Sequence, residues 1–295
     1  MAKPRIAFMI DKGFAFKIIA EQVAHYLGRQ YDFTISSDRD PAAVLTRRYD
    51  IVHFLAWDRW QRVLSSINSV KHKTKAKFIA GIHSFRSWDD GWQQEVLLLD
   101  AIAVTCKELQ EIFICSGKPV YLLPNGVDVE MFYPTKRFPK QFSVGFIGAK
   151  DSIKGFNEFI VPLAEELNLP LITNEKRLGY AKGLAALYKR MSCYICASES
   201  EGFCMPLIEA SATGLPVIST RVGIAEEFIE DGYSGILIDR DYQQMREAVL
   251  HLIANPTIAQ EMGHRARQRS LHYSWNRIVQ CYHVLYQKVL SSQEV

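Results

Sequence analysis

Short apolar runs rich in β-branched and aromatic residues alternate with stretches of helical period along almost the whole chain. In the first half, Arg5–Asp11, Asp32–Ser36, Asp50–Leu55, Lys77–His83, Ala101–Thr105 and Val120–Leu123 have the pattern of strands. Ala15–Leu27, Asp58–Val70, Trp92–Leu99 and Lys107–Ser116 fill the gaps as helices. In the second half, strands are expected at Phe142–Ile147, Leu171–Thr173, Cys193–Ala197, Pro216–Thr220 and Gly235–Ile238. Helices are expected near Gly155–Leu167, Lys182–Met191, Met205–Thr213 and Ala225–Ile229, and after Asp239 the pattern is helical to the end. This alternation implies α/β architecture, with parallel sheets covered on both faces.

The rhythm breaks once, from Pro124-Asn125-Gly126 to Pro139, where three prolines and a turn dipeptide interrupt all periodicity. That stretch reads as an interdomain linker. It separates two doubly wound domains, residues 1–130 and 131–272, expected to face each other. Ligands of open α/β sheets bind beyond the carboxyl ends of the strands, so the cleft between the two is the expected site.

Composition narrows the class. A chain of 295 residues, 48% hydrophobic and 12% aromatic, buries enough surface to fold without a disulfide or metal staple, and disorder is excluded. No apolar run approaches the roughly 18 residues that cross a bilayer. The start, Met1-Ala2-Lys3-Pro4-Arg5 before Ile6–Ile10, is too short for a signal-peptide core and reads as a first strand. The six cysteines are scattered through apolar segments, as in a reducing cytosol. Cys193 and Cys196 form a C-x-x-C inside a strand, where positions three apart face opposite ways, and no second pair completes a zinc site. A net charge of +3, with basic residues not interleaved with aromatics, argues against nucleic acid.

The densest chemistry lies in Ala197-Ser-Glu-Ser-Glu-Gly-Phe-Cys-Met-Pro-Leu-Ile-Glu-Ala-Ser-Ala-Thr-Gly214, which reads strand, polar loop, short helix and turn. Pro206 suits a first helical turn and Gly214 the left-handed position after the helix ends. Amides around Phe203, Cys204 and Met205, just after Gly202, then point freely at a helix start, where phosphate is attracted. Glu201 and Glu209 beside them are poor phosphate ligands but good acceptors for vicinal hydroxyls. Sugar, phosphate and ribose together spell a nucleotide sugar.

Glu201-x7-Glu209 within EGFCMPLIEASATGLPVIST resembles the E-x7-E motif of retaining GT-B glycosyltransferases of the family-four, group 1 type. Pro124-Asn-Gly-Val-Asp, Val144-Gly-Phe-Ile-Gly148 with Lys154-Gly155, Glu227 in GIAEEFIEDGYSGILI, and His83 after a strand are similar to further segments of that family, in order. Trp275-Asn-Arg-Ile resembles the start of its last helix, which implies that 273–295 returns to the first domain. The resemblance implies a GT-B fold of two facing Rossmann-like domains, acceptor-side and donor-side. It also implies retaining sugar transfer from a nucleoside diphosphate sugar to a glycan or lipid-linked acceptor, with no metal or other cofactor. Glu201 would contact the donor sugar, Glu209 the ribose, Lys154 the departing diphosphate and His83 the sugar; Gly13, Gly148 and Lys150 would complete the donor site. Ala149 stands where the family usually carries a phosphate-binding arginine, with Lys150 one place later, and Cys204 stands where glycine is common.

Two other features are weighed beside these. Asp38-Arg39-Asp40 matches a metal-holding D-x-D but sits before Pro41 as a solvated turn. Lys71-His-Lys-Thr-Lys-Ala-Lys77 is a solvated helix end, or a basic patch for an acidic acceptor or for anionic membrane, peripheral on the cytoplasmic face. Rival functions are a nucleotide-sugar epimerase or phosphorylase on the same fold, and a non-catalytic nucleotide-binding module. A nicotinamide enzyme is disfavoured because no G-x-G-x-x-G follows the first strand.

Overall fold

The computed structural model describes residues 2–10, 14–36, 48–55, 57, 68, 71–85, 96–134, 139, 141–174 and 180–292. Gly13, the Asp38–Asp40 turn, most of the expected helices at 58–70 and 92–99, and residues 175–179 lie outside them. The chain divides into two compact units, Met1–Gly126 with Trp275–Val295, and Val127–Ser274.

In the first unit, β1 (Arg5–Met9), β2 (Asp32–Ser36), β3 (Ile51–Phe54), β4 (Lys77–Ile82), β5 (Ala101–Val104) and β6 (Val120–Leu122) form one parallel sheet in the order β2-β1-β3-β4-β5-β6. Alternate strand residues serve opposite faces. Ala7, Met9, Val52, Phe54, Phe78 and Ile102 join a core with Leu109 and Phe113 of helix Lys107–Phe113. The other face is aromatic: Phe8 stacks on Phe33, and Tyr31 and His53 meet Tyr286 of the terminal helix Trp275–Ser291. Gly126 and Trp275 interlock. A Cβ on Gly126 would lie 2.4 Å from the indole, so the glycine of the Pro-Asn-Gly turn is required by close approach.

In the second unit, β7 (Val144–Phe146), β8 (Leu171–Thr173), β9 (Cys193–Cys196), β10 (Val217–Thr220) and β11 (Ile236–Ile238) form a parallel sheet in the order β11-β10-β9-β7-β8. Cys193 and Ile195 pack on one face with Phe156, Ile160, Met245 and Val249; Tyr194 and Cys196 pack on the other with Tyr188, Leu207 and Phe228. The C-x-x-C residues therefore serve opposite cores, as strand geometry requires. The stretch from Val127 is not free chain. Val127 and Phe132 are buried in this core, and the Arg267 guanidinium donates to the carbonyls of Phe132, Ala212 and Val129.

One expected helix is altered. Gly155–Leu167 opens as a π-helical turn, Phe156–Ile160, before the α-helix Val161–Glu166 begins. Pro162 has no N–H to close the α-ladder at that point, which accounts for the widened turn.

Candidate functional site

In both sheets the strand order reverses between the first strand and its two neighbours, and such a switch point splays the following loops apart. In the second unit these loops follow β7 and β9. The first carries Gly148, Lys150 and Lys154, and the second carries Glu201, Gly202 and Phe203. The Glu199 amide donates to the Ile153 carbonyl at 2.8 Å, which ties the two loops together. Gly155 has φ +66°, and a Cβ there would sit 2.7 Å from the Ala197 carbonyl, so only glycine lets the Lys154 loop come this close.

The result is a charged pair at the switch point. Lys154 Nζ lies 2.5 Å from Glu201 Oε1, with side-chain exposures of 26% and 14%. Burial works against the ammonium, but the Glu201 carboxylate outweighs it and raises the Lys154 pKa above its ordinary value. The Ser198 hydroxyl donates to the same Glu201 oxygen at 2.8 Å. Gly223, at φ +56°, presses on the Glu201 Cβ and backbone from below, leaving no room for a side chain of its own.

Beyond the loop, helix Met205–Ala212 begins with Cys204 as its N-terminal cap. Cys204 has φ +72°, a left-handed conformation that L side chains rarely adopt and that costs about 1 kcal/mol or more. The amides of Phe203, Cys204 and Met205 have no acceptor among the described residues, whereas the Phe203 carbonyl accepts from Ile224. This is the donor-rich helix start that suits an anion. The Phe203 and Cys204 side chains point down into the core. There the Cys204 thiol donates to Cys196 Sγ at 3.6 Å, and this hydrogen bond lowers the Cys196 pKa below its ordinary value.

Other expected residues stand apart from the pair. Glu209 is 2% exposed and accepts a hydrogen bond from the Tyr188 hydroxyl at 2.8 Å, so the carboxylate read as an open ribose acceptor lies beneath the surface. Lys150 is exposed, its ammonium 4.7 Å above the Phe156 ring, while the Gly148 amide donates to Asn174 Oδ1. His83 belongs to the first unit, where its ring meets Phe16 edge-on at 5.0 Å. Burial lowers its pKa to about 4, so the ring is neutral near pH 7. In the lysine run, Asp100 takes the ammonium of Lys71 and, at 3.6 Å, that of Lys77; Lys73 and Lys75 remain exposed.

Sequence reasoning did not find Tyr188, Ser198, Asn174, Arg240 or the approach of Cys196 to Cys204. Arg240 donates to the Ala197 and Ser152 carbonyls and pairs with Glu158, clamping both loops from outside the motif. Ser198 and the two cysteines lie within five residues of Glu201, but nothing in their spacing aims one sulfur at the other; Tyr188, Asn174 and Arg240 are further away in sequence.

The two sheets and the paired loops make this a GT-B protein, and solved structures share the fold over nearly the full chain. Sucrose-phosphate synthase from Thermosynechococcus elongatus superposes with a TM-score of 0.79 at 15% identity, covering 99% of this chain and 100% of that one. HepE of Anabaena, solved with UDP, gives 0.73 at 14% identity, covering 96% and 100%. Residues 156–269 match the family model of glycosyl transferases group 1. An uncharacterised glycosyltransferase of Methanocaldococcus jannaschii is 32% identical over 107 residues, 36% of this chain and 30% of that protein. The match thus spans less than a third of that relative's length.

Proposed function

We propose that the protein is a retaining glycosyltransferase that moves a sugar from a nucleoside diphosphate sugar to a glycan or lipid-linked acceptor without a catalytic metal. The observation that carries this reading is the Lys154–Glu201 pair at the β7–β9 switch point, beside unsatisfied amides at a helix start. The two side chains satisfy each other. With a donor bound, Lys154 turns to the diphosphate and Glu201 to the sugar hydroxyls. The ammonium, together with the amides of Phe203 to Met205, then stabilises charge that grows on the leaving phosphate, where fixed positive groups contribute most. The departing phosphate oxygen takes the acceptor proton, so no side-chain base is needed. A neutral His83 suits a hydrogen bond to a sugar hydroxyl and is too weakly basic to be the proton acceptor.

For Glu209, the Tyr188 hydroxyl donates to Oε2 alone, and a carboxylate accepts at both oxygens, so ribose binding does not require that contact to break. Contact with anionic membrane is not part of this reading, because Asp100 already holds two lysines of the basic run.

The test is a thermal-shift panel of UDP, GDP, ADP, dTDP and CMP, followed by a transfer assay with the donor class that binds. UDP comes first because HepE binds it. Saturating ligand at a hundred times its Kd stabilises by about 2.7 kcal/mol. Glu201→Gln removes a hydrogen bond to a charged group, about 1.5–3 kcal/mol, so transfer drops at least roughly tenfold. Unchanged transfer in that variant would overturn the assignment. Acceptor-independent epimer formation, or sugar phosphate made from free phosphate, would move the chemistry to the epimerase or phosphorylase class.

A further inference from the structure

Beneath Glu201 lies a cluster that the transfer reaction does not use. Cys196, at the end of β9, and Cys204, at the cap of the following helix, bring their sulfurs to 3.6 Å. The two sulfurs and a Glu201 carboxylate oxygen all lie within 4.8 Å of one another. We propose that Cys196, Cys204 and Glu201 form a binding site for a soft divalent cation, zinc, and that its occupation shuts down the donor site.

The geometry fits the ion. Tetrahedral zinc with bonds of about 2.3 Å to sulfur holds its two thiolates about 3.7 Å apart, the spacing already present here. The carboxylate supplies the third ligand, which leaves a fourth position for water. Two sulfurs with one oxygen select zinc over magnesium or calcium, whose hard ions take oxygen ligands alone. Charge also balances. Two thiolates and a carboxylate around a doubly charged ion leave one negative charge, and the Lys154 ammonium beside Glu201 neutralises it. Binding releases two thiol protons to solvent.

The second shell is in place as well. Ser198 donates its hydroxyl proton to Glu201 Oε1 at 2.8 Å and so holds that ligand in position. The sulfurs are buried, whereas Glu201 and Lys154 beside them are partly exposed. The left-handed backbone of Cys204 is what aims its sulfur at Cys196, and an L residue holds that conformation only at a cost. The C-x-x-C pair cannot do the same, because Cys193 serves the opposite face of the sheet.

The inhibitory consequence rests on the functional reading above, since zinc would withdraw Glu201 from the sugar. The binding site itself does not. The experiment is an anaerobic titration of the full chain with cobalt(II), followed by displacement with zinc. One cobalt per chain is expected, with a thiolate-to-metal charge-transfer band that zinc abolishes. Cys204→Ser removes a ligand, and disturbing even an outer-shell partner costs about 10–100-fold in affinity; the band is therefore lost at the same cobalt concentration. Cys204→Gly, which adopts φ +72° freely, repeats the test should the serine variant fold poorly. Cys193→Ser keeps the band. A band that survives both Cys204 variants, or no band in the unaltered chain, overturns the site.

Inhibition is read separately. Transfer falls as zinc saturates the site and recovers with a chelator, whereas Cys204→Gly, whatever its own rate, shows no zinc dependence. Equal zinc inhibition of Cys204→Gly overturns the regulatory claim. A chain that gives the cysteine-dependent band but transfers no sugar refutes the functional reading and leaves the cation site standing.

Discussion

The two units share a strand order around their first strand, yet they treat buried ionisable groups in opposite ways. In the first unit, His53 sits on β3 at 1% exposure between Phe8, Tyr282 and Tyr286. Its Nδ1 meets the Tyr286 hydroxyl at 3.1 Å, and its Nε2 has no partner among the described residues. Burial, reinforced by nearby His83, drives its pKa down to about 3. In the second unit, Lys154 is also drawn partly out of water, but Glu201 faces it and its pKa rises instead. Burial alone discharges a group, whereas burial against an opposite charge keeps it charged. The first sheet is thereby built around a neutral aromatic layer, and the second holds a permanent cation at its switch point.

Tryptophan makes this contrast measurable. All five tryptophans, at 57, 60, 88, 92 and 275, belong to the first unit, so their fluorescence follows that unit while far-UV circular dichroism follows both. The largest expected effect is on the second unit. Gly155→Ala forces a Cβ into a left-handed residue and against the Ala197 carbonyl; strain and overpacking together cost about 3 kcal/mol. Denaturant unfolding by circular dichroism should lose that stability while the tryptophan transition stays in place. A loss under about 1 kcal/mol would mean the two loops are not held at this distance.

Acidification comes next and strikes the first unit. The folded His53 pKa lies below its unfolded value near 6.5, so the unfolded chain takes up the proton first. Its contribution is complete above that value and is lost as pH falls toward about 3. At pH 5 the loss is about 2 kcal/mol, read from the tryptophan transition, and His83 adds in the same direction. His53→Gln should flatten this slope; a slope that persists would show that another group carries it.

The smallest effect sharpens the comparison. Tyr188→Phe removes the hydroxyl from buried Glu209 and should cost about 1.5 kcal/mol in the second unit. No loss would indicate that Glu209 finds water or another partner at once.

The candidate site was legible where a local backbone requirement left a mark in the sequence. Gly155 and Gly214 stand at positive φ, and Pro206 opens its helix. The Pro124-Asn-Gly turn and Trp275 were each legible, but their contact was not, because 148 residues of chain lie between Gly126 and Trp275. The burial of Glu209 was not legible for the same reason: helical spacing cannot say that a tyrosine from another helix covers a carboxylate.

By itself, then, the sequence determined two parallel α/β sheets, a break after Pro124, and a loop-to-helix start bearing Glu201 near a lysine-bearing loop. Those features follow from periodicity and turn chemistry, which act over a few residues. Tertiary structure decided the order of the strands, the pairing of Lys154 with Glu201, the neutral state of His53 and the meeting of Cys196 with Cys204. Each of these depends on which distant groups share a low-dielectric space, and only the packed chain settles that.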